Sequence, residues 1–565
     1  MGDLSIRTMS DSPDLVVIGA GWYGLAAAKT YIELHPGENV LVIEAEGSCG
    51  GTWSKDRLYP GLKSNNLRGS YEYPDLPMSE DVYGVKPGQH IPAAVLHRYL
   101  TDFSKKFGVF ERTRFNTKVD AIEATESGGW NIHVSPTSGG ASETVTAKKL
   151  IVATGLTSQP NMPKYTGEET FTPTLIHAKD FCKHSSAVGT CKKAVVVGAG
   201  KSAFDCAYIF ATDGDAQVDL IIRPTGQGPV WLCPPYVTPM KKMMEELLNT
   251  RALTFFSPCP WGGEDGFGML RGMLHGTAVG RLVVDNFWNL LSNGVIDDHG
   301  YNEHPELFKL KPWQNAFWTG SGVGIHNYPT NFFDLVKEGK IRVHIADIDR
   351  LDVDKVHLTD GTEITSDFVI CATGWKKESS IKFLNFNARL AKSDTEREQL
   401  SAQADKEVRD MFPSLKAQPV LRAQQKNEEP LRNYRFIVPA DAYFNRNIAF
   451  AGMVSTVSTS MFATAQALWI SAFFDGRLKR APKDASEVTK EVMLHTQFGK
   501  WRYPCGYGAS LPDFAFDSLP YIDLLLNDLG LKTQRKASAM EELTAPYKPW
   551  DYKGLSEEWR GLQAE

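Results

Sequence analysis

Short apolar runs that end on glycine or on a single charge recur along the chain. Val16-Val17-Ile18 leads into Gly19-Ala20-Gly21-Trp22-Tyr23-Gly24, and Ala194-Val195-Val196-Val197 leads into Gly198-Ala199-Gly200-Lys201-Ser202-Ala203. At matching offsets beyond them, Leu41-Val42-Ile43 ends on Glu44 and Leu220-Ile221-Ile222 ends on Arg223. Uninterrupted apolar runs bounded by turn residues predict strands buried on both faces of a parallel sheet, and each glycine cluster predicts a tight turn into a helix. Two further strands are expected before tight turns, at Leu150-Ile151-Val152-Ala153-Thr154-Gly155 and Phe368-Val369-Ile370-Cys371-Ala372-Thr373-Gly374. Elsewhere Val95, Leu96, Tyr99, Leu100 and Phe103 fall on one face of an amphipathic helix. Residues 115–146 alternate in strand fashion around the Gly128-Gly129 and Gly139-Gly140 turns, and Asp360-Gly361 marks a hairpin. Residues 460–474 read as a buried helix, and residues 391–429 as a polar helix followed by a surface loop.

The two glycine clusters carry chemistry because of what surrounds them. Strand, glycine turn and helix amino terminus together present unpaired N–H groups and a positive dipole end to a pyrophosphate. An acidic residue at the end of the following strand accepts hydrogen bonds from an unmodified ribose, whereas an arginine pairs with a 2′-phosphate. The first site therefore predicts flavin adenine dinucleotide, held by Gly19, Gly21, Gly24 and Glu44. The second predicts NADP(H), held by Gly198, Gly200, Lys201, Ser202 and Arg223, with Ala203 in the place of the third glycine. The expected fold is α/β, with two nested Rossmann-like dinucleotide-binding domains, the FAD domain interrupted by the NADP domain. Expected boundaries are residues 1–157 and 371–565 for the two parts of the FAD domain and its carboxy-terminal extension, and 158–370 for the NADP domain.

Composition narrows the setting. A chain of 565 residues with 42% hydrophobic residues can bury several domain-sized cores. A net charge of −6 gives no global attraction to nucleic acid or anionic membrane. The eight cysteines show no C-x-x-C pair or zinc-like spacing, which predicts reduced thiols and no metal. No signal peptide, myristoylation motif or apolar run of membrane-spanning length is present, so a cytoplasmic protein without a transmembrane anchor is expected. Residues 226–330 form an expected insertion in the NADP domain. It is rich in Trp231, Met240, Met243, Met244, Phe255, Phe256, Trp261, Met269, Met273, Trp288, Trp313 and Trp318, which either line an apolar pocket or fill a core.

Between the glycine clusters, Phe171-Thr172-Pro173-Thr174-Leu175-Ile176-His177-Ala178-Lys179-Asp180-Phe181 resembles the F-x-G-x-x-x-H-x-x-x-[FYW] signature of class B flavoprotein monooxygenases, with proline replacing its glycine. That group holds the flavin-containing, Baeyer–Villiger and N-hydroxylating monooxygenases, and the terminal Phe181 is similar to the flavin-containing branch. The resemblance runs from about Asp14 to Lys532. Gly50-Gly51-Thr52-Trp53 is similar to the family's flavin-side motif, which adds Gly51, Thr52 and Trp53 to the cofactor contacts. Lys118-Val119 is similar to the segment whose backbone meets the adenine. Ser64-Asn65-Asn66 with Tyr71-Glu72-Tyr73-Pro74-Asp75 resembles the segment supplying the active-site asparagine, aligning on Asn65 with Asn66 as the adjacent candidate. Residues 449–452 and 466–469 look like the return of the chain to the flavin.

The resemblance implies a monooxygenase in which NADPH reduces the flavin, O2 adds to give a C4a-hydroperoxide, and one oxygen atom enters a lipophilic small molecule, at a soft heteroatom or beside a ketone. No protein nucleophile is demanded, and His177 is expected to be structural, at a domain junction. Two alternatives remain at this stage. One is an NADPH-dependent reductase passing electrons to a disulfide or quinone, for which the lone Cys49 offers no redox pair. The other is a non-catalytic FAD-binding scaffold. The sequence names neither the substrate nor the oligomeric state.

Overall fold

The computed structural model describes residues 12–237, 242–377, 379–386, 393–422, 429–508 and 510–564. Met240, residues 1–11 and part of the polar stretch expected after residue 391 lie outside them.

Both glycine clusters sit at the centre of a five-stranded, wholly parallel sheet. The first sheet takes β1 (Leu15–Ile18), β2 (Val40–Ile43), β3 (Thr113–Arg114) and β4 (Lys149–Val152), with α1 (Trp22–Leu34) following β1. The second takes β5 (Thr174–His177), β6 (Lys193–Val197), β7 (Gln217–Ile222), β8 (Ile341–Ile345) and β9 (Phe368–Cys371), with α2 (Lys201–Thr212) following β6. The chain then returns to the first sheet through β10 (Ile448–Phe450) and enters α3 (Thr459–Phe474). Strand orders are β10-β4-β1-β2-β3 and β5-β9-β6-β7-β8. In each, a fingerprint strand lies where the order reverses, the crevice that an open α/β sheet offers to a ligand.

The two Ala-Thr-Gly strings have the same structural reason. The Ala153 amide donates to Ile18, continuing the β1–β4 ladder, and a Cβ on Gly19 would stand 2.5 Å from the Ala153 carbonyl. In the second sheet the Ala372 amide donates to Val197, and a Cβ on Gly198 would stand 2.4 Å from the Ala372 carbonyl. Gly19 and Gly198 also hold φ at +104° and +145°, which other residues rarely adopt. Gly24 lets α1 close onto the turn, since a Cβ there would lie 1.9 Å from the Gly19 carbonyl. Ala203 is accommodated at the matching place in α2, where the turn leaves its methyl group room.

The alternating segment forms the antiparallel strands Thr117–Ala124, Trp130–Pro136 and Glu143–Ala147, and the Asp360-Gly361 hairpin joins Lys355–Leu358 to Glu363–Thr365. The residue 95–103 pattern lies on helix Ala93–Lys106, with Leu96, Tyr99, Leu100 and Phe103 buried. α3 is buried along nearly its whole length and packs on α1. The polar stretch gives helix Asp394–Met411. Within residues 226–330, Trp231, Trp261 and Trp288 are buried, but Met269 and Met273 are 91% and 56% exposed, against the expectation of core or pocket. Helix Gly268–Gly276 turns Arg271 and His275 inward instead. Arg271 pairs there with buried Asp265 and His275 bonds the Phe255 carbonyl, so polar partners fix the helix face.

Candidate active site

At the first crevice, Gly21 is the N-cap of α1 and offers no side chain to the first helical N–H groups. A Cβ on Gly51 would lie 3.1 Å from the Gly21 Cα, so two bare backbone strips face each other beside those free donors. Glu44, just beyond β2, is buried, and its carboxylate accepts from the Ala20 amide at 2.6 Å and the Glu46 amide at 2.9 Å. Burial pushes its carboxyl above the usual range while these amides oppose the shift. A carboxylate keeps lone pairs beyond those two for ribose hydroxyls. Trp53 donates to the Tyr71 hydroxyl at 3.1 Å, and Thr52 is exposed and meets Thr157 at 3.1 Å. Val119 is buried where its strand bulges toward Ala121. The returning chain closes the crevice. Gly452, at φ +74°, leaves room for the Tyr23 ring, and its amide is fixed by Gln466 at 3.0 Å. These groups fit a flavin dinucleotide: uncapped helix donors, side-chain-free backbone for close approach, and an acidic residue at the neighbouring strand end.

The second crevice repeats the plan. Gly200 caps α2 without a side chain, nothing lies within 4 Å of a Cβ built on it, and Ser202 is exposed on the first helical turn. Arg223 is exposed just past β7 and has no ion-pair or hydrogen-bond partner for its guanidinium among the described residues. Lys201 is engaged. Its ammonium pairs with Asp205, donates to Asn327 Oδ1 at 2.9 Å and lies over the Tyr328 ring. Asn327 Nδ2 in turn donates to the Ser64 carbonyl at 3.1 Å. The start of α2 is thereby tied to strand Lys63–Leu67, which carries both candidate asparagines.

On that strand the two asparagines differ. Asn66 Nδ2 donates to the Val457 carbonyl at 2.9 Å, while the Asn65 amide group makes no side-chain hydrogen bond among the described residues. Ser64 pins the strand, donating to the Asn66 carbonyl at 2.5 Å and accepting from the Ile91 amide at 2.9 Å. The Leu67 amide donates to buried Glu245 at 3.0 Å, and burial pushes the Glu245 carboxyl up to about 7. Its folded pKa lies above the ordinary 4.5, so the folded chain keeps a proton that the unfolded chain releases between those values. The cost to stability is absent below that window, grows through it and is full above it, reaching about 3 kcal/mol. Glu245→Gln is expected to raise the melting temperature at pH 8 and leave it unchanged near pH 4, with unchanged pH dependence counting against the assignment.

His177 ends β5, paired in the second sheet beside β9. Its Nε2–H donates to the Gly374 carbonyl at 2.9 Å and its Nδ1 accepts from the Lys179 amide at 3.0 Å. Both ring nitrogens are occupied and burial lowers its pKa, which suits a neutral structural imidazole. Around it, Arg57 donates to the Thr157 carbonyl and covers Trp375, and Phe181 packs on Tyr59. Pro173 directly precedes β5, where its missing N–H costs no ladder bond. Cys49 is buried against Ser104, and burial pushes its thiol up to about 11. All eight cysteines are free thiols. Among the described residues no group of His, Cys, Asp and Glu is placed to hold a metal ion, and no helix is long and apolar enough to cross a membrane.

A pocket enclosing about 570 Å³ of empty space, the solvent at its open mouth included, has Val457, the partner of Asn66, in its wall. Trp231, Met244, Trp288, Val457 and Phe516 are among its walls, so part of the aromatic-rich stretch lines a pocket. Sequence reading missed Asn327, Glu245, Val457 and the cavity's one charged residue, Arg502, because no local motif marks them.

Two dinucleotide folds with bare helix starts, the second tied to the asparagine strand through Lys201 and Asn327, define a flavoprotein oxidoreductase. The pyridine nucleotide-disulphide oxidoreductase family model matches residues 13–249. The chain is 33% identical to the FAD-dependent monooxygenase rstn6 of Aspergillus nomiae, covering 97% of this chain and 98% of that one. It is equally similar to the FAD-dependent monooxygenase resA of Aspergillus sclerotiorum, again 33% identical over 97% and 98%. The fold matches a solved steroid monooxygenase at a TM-score of 0.59, with 16% identity over 93% of this chain and 99% of that one. The chain belongs to the FAD-dependent monooxygenases.

Proposed function

We propose that the enzyme uses NADPH as its electron donor and oxygenates a lipophilic small molecule bound in the cavity beside strand Lys63–Leu67. Residues 158–370 form the NADP unit, set between residues 1–157 and 371–565 of the flavin unit. The chemistry contributed by FAD, when bound, is hydride acceptance from the nicotinamide and activation of O2. The chain's own part is to hold, orient and keep dry. The starts of α1 and α2 bind the pyrophosphates, Glu44 the flavin ribose, and Arg223 and Ser202 the 2′-phosphate. Apolar walls exclude water, whose entry would divert oxygen to hydrogen peroxide. A steroid monooxygenase of the same fold was solved with NADP, which supports this choice of donor.

The observation that carries the reading is the free amide of Asn65 on a strand fixed at Ser64, Asn66 and Leu67. Such a group can donate to activated oxygen and accept from the nicotinamide ribose without first breaking a bond within the protein. Asn65→Ala is expected to retain flavin colour and near-parental anaerobic reduction by NADPH. Losing a desolvated hydrogen bond worth about 1–2 kcal/mol should raise substrate-free NADPH oxidation and peroxide release about tenfold. Unchanged peroxide output in a stopped-flow and peroxide assay would make Asn65 a turn residue.

A further inference from the structure

Arg502, at the end of helix Ala485–Arg502, is completely buried and lines the apolar cavity. Its Nη1 donates to the Phe317 carbonyl and its Nη2 to Ser257 Oγ at 3.1 Å, but its Nε–H has no partner. The faces of Trp288, Phe317 and Tyr503 surround the guanidinium. Among the described residues no carboxylate comes within ion-pair distance of it. Asp517, an acidic group close enough to feel the charge of Arg502, accepts from the Tyr503 hydroxyl at 2.5 Å and the Ala515 amide at 2.9 Å through Oδ1 alone, and its buried Oδ2 has no hydrogen-bond partner among the described residues. Arg271, in the same region, already has Asp265. Every other buried guanidinium on this side of the fold has a carboxylate: Arg251 has Asp265, Asp523 and Glu542, and Arg435 has Asp528.

A desolvated guanidinium with an idle N–H is costly unless something brings it a charge or an acceptor. Val457 lies in the wall of the same cavity, and its carbonyl takes the Asn66 amide, so one wall of the cavity is hydrogen-bonded to the strand that carries both asparagines. We propose that Arg502 anchors an anionic oxygen group of the substrate, a carboxylate or an enolate, while the apolar body fills the aromatic-lined space of the cavity. The inference rests on the monooxygenase reading for the identity of the ligand as substrate, and the binding of the acid group is tested apart from it.

The probes are 4-phenylbutyrate and 4-phenylbutan-1-ol, which share a body and differ in charge. They are titrated into the full-length, FAD-loaded protein, with binding followed by quenching of tryptophan fluorescence, since Trp231 and Trp288 are in the wall. The acid is expected to bind at least tenfold more tightly than the alcohol, as charge-assisted hydrogen bonds outweigh neutral ones. Leu291→Trp, which fills the cavity, should weaken both. Arg502→Met should abolish the preference for the acid, with circular dichroism checking its folding because two internal hydrogen bonds go with the side chain. The parent protein decides even if that variant does not fold. Equal affinity for acid and alcohol, no binding of either, or an acid preference that survives Leu291→Trp each overturns the proposal. Bleaching of the flavin by NADPH in the same preparation tests the donor reading independently.

Discussion

Gly21→Val is expected to give a folded but colourless protein. A Cβ at Gly21 would meet only Gly51, at 3.6 Å from its Cα, which is ordinary contact, and Gly21 does not hold a left-handed φ. The protein therefore accepts a side chain there, and the obstruction falls on the space where backbone and pyrophosphate meet. Gly24→Ala is the contrasting case. Its Cβ would stand 1.9 Å from the Gly19 carbonyl, so α1 must move off the turn and the sheet-to-helix packing is lost. Gly21→Val should purify with less than a tenth of the parent's flavin absorbance and melt lower only by the stabilisation bound FAD provides, about 4 kcal/mol at a thousandfold excess over Kd. Gly24→Ala should lose both flavin and fold. Full flavin content in Gly21→Val would place the cofactor elsewhere.

Arg223→Ala is expected to cut kcat/KM for NADPH by roughly a hundredfold and leave NADH use nearly unchanged. The guanidinium stands at the carboxyl end of β7 with no partner among the described residues to give up. Two charge-assisted bonds to a 2′-phosphate, at about 1.5–3 kcal/mol each before solvent screening, account for an effect of that size. Because Arg223 is exposed, the penalty should shrink as salt is added. Equal losses with both cofactors in steady-state assays would remove Arg223 from this role.

The parts of the site legible in the sequence are those dictated by backbone geometry. Gly19 and Gly198 must be glycine because of φ and the carbonyl beneath them, so the fingerprints are visible without a fold. Glu44 and Arg223 are readable because each follows a strand at a fixed offset from its fingerprint. What was not legible depends on long-range contact. Asn327 matters through Ser64, Glu245 through Leu67, and Arg502 through Phe317 and Ser257, and no local pattern foretells such meetings. The contact of Asn66 with the Val457 carbonyl, which supports Asn65 as the proposed site residue, was hidden for the same reason. Met269 and Met273 show the converse error. Their composition suggested an interior, but the pairing of Arg271 with Asp265 chose which side of the helix faces in.

The link from Lys201 through Asn327 to Ser64 has a bearing on redesign. Cofactor preference in two-nucleotide enzymes is commonly altered by replacing basic residues around the second site, and Lys201 and Arg223 are both obvious targets. They are not equivalent. Changing Arg223 touches nothing that leads back to the asparagine strand. Changing Lys201 removes the bond that holds Asn327 against the Ser64 carbonyl, and is expected to raise peroxide release along with any change in nucleotide choice. A variant library aimed at NADH should therefore spare position 201, or screen it for wasted reducing equivalents as well as for nucleotide choice.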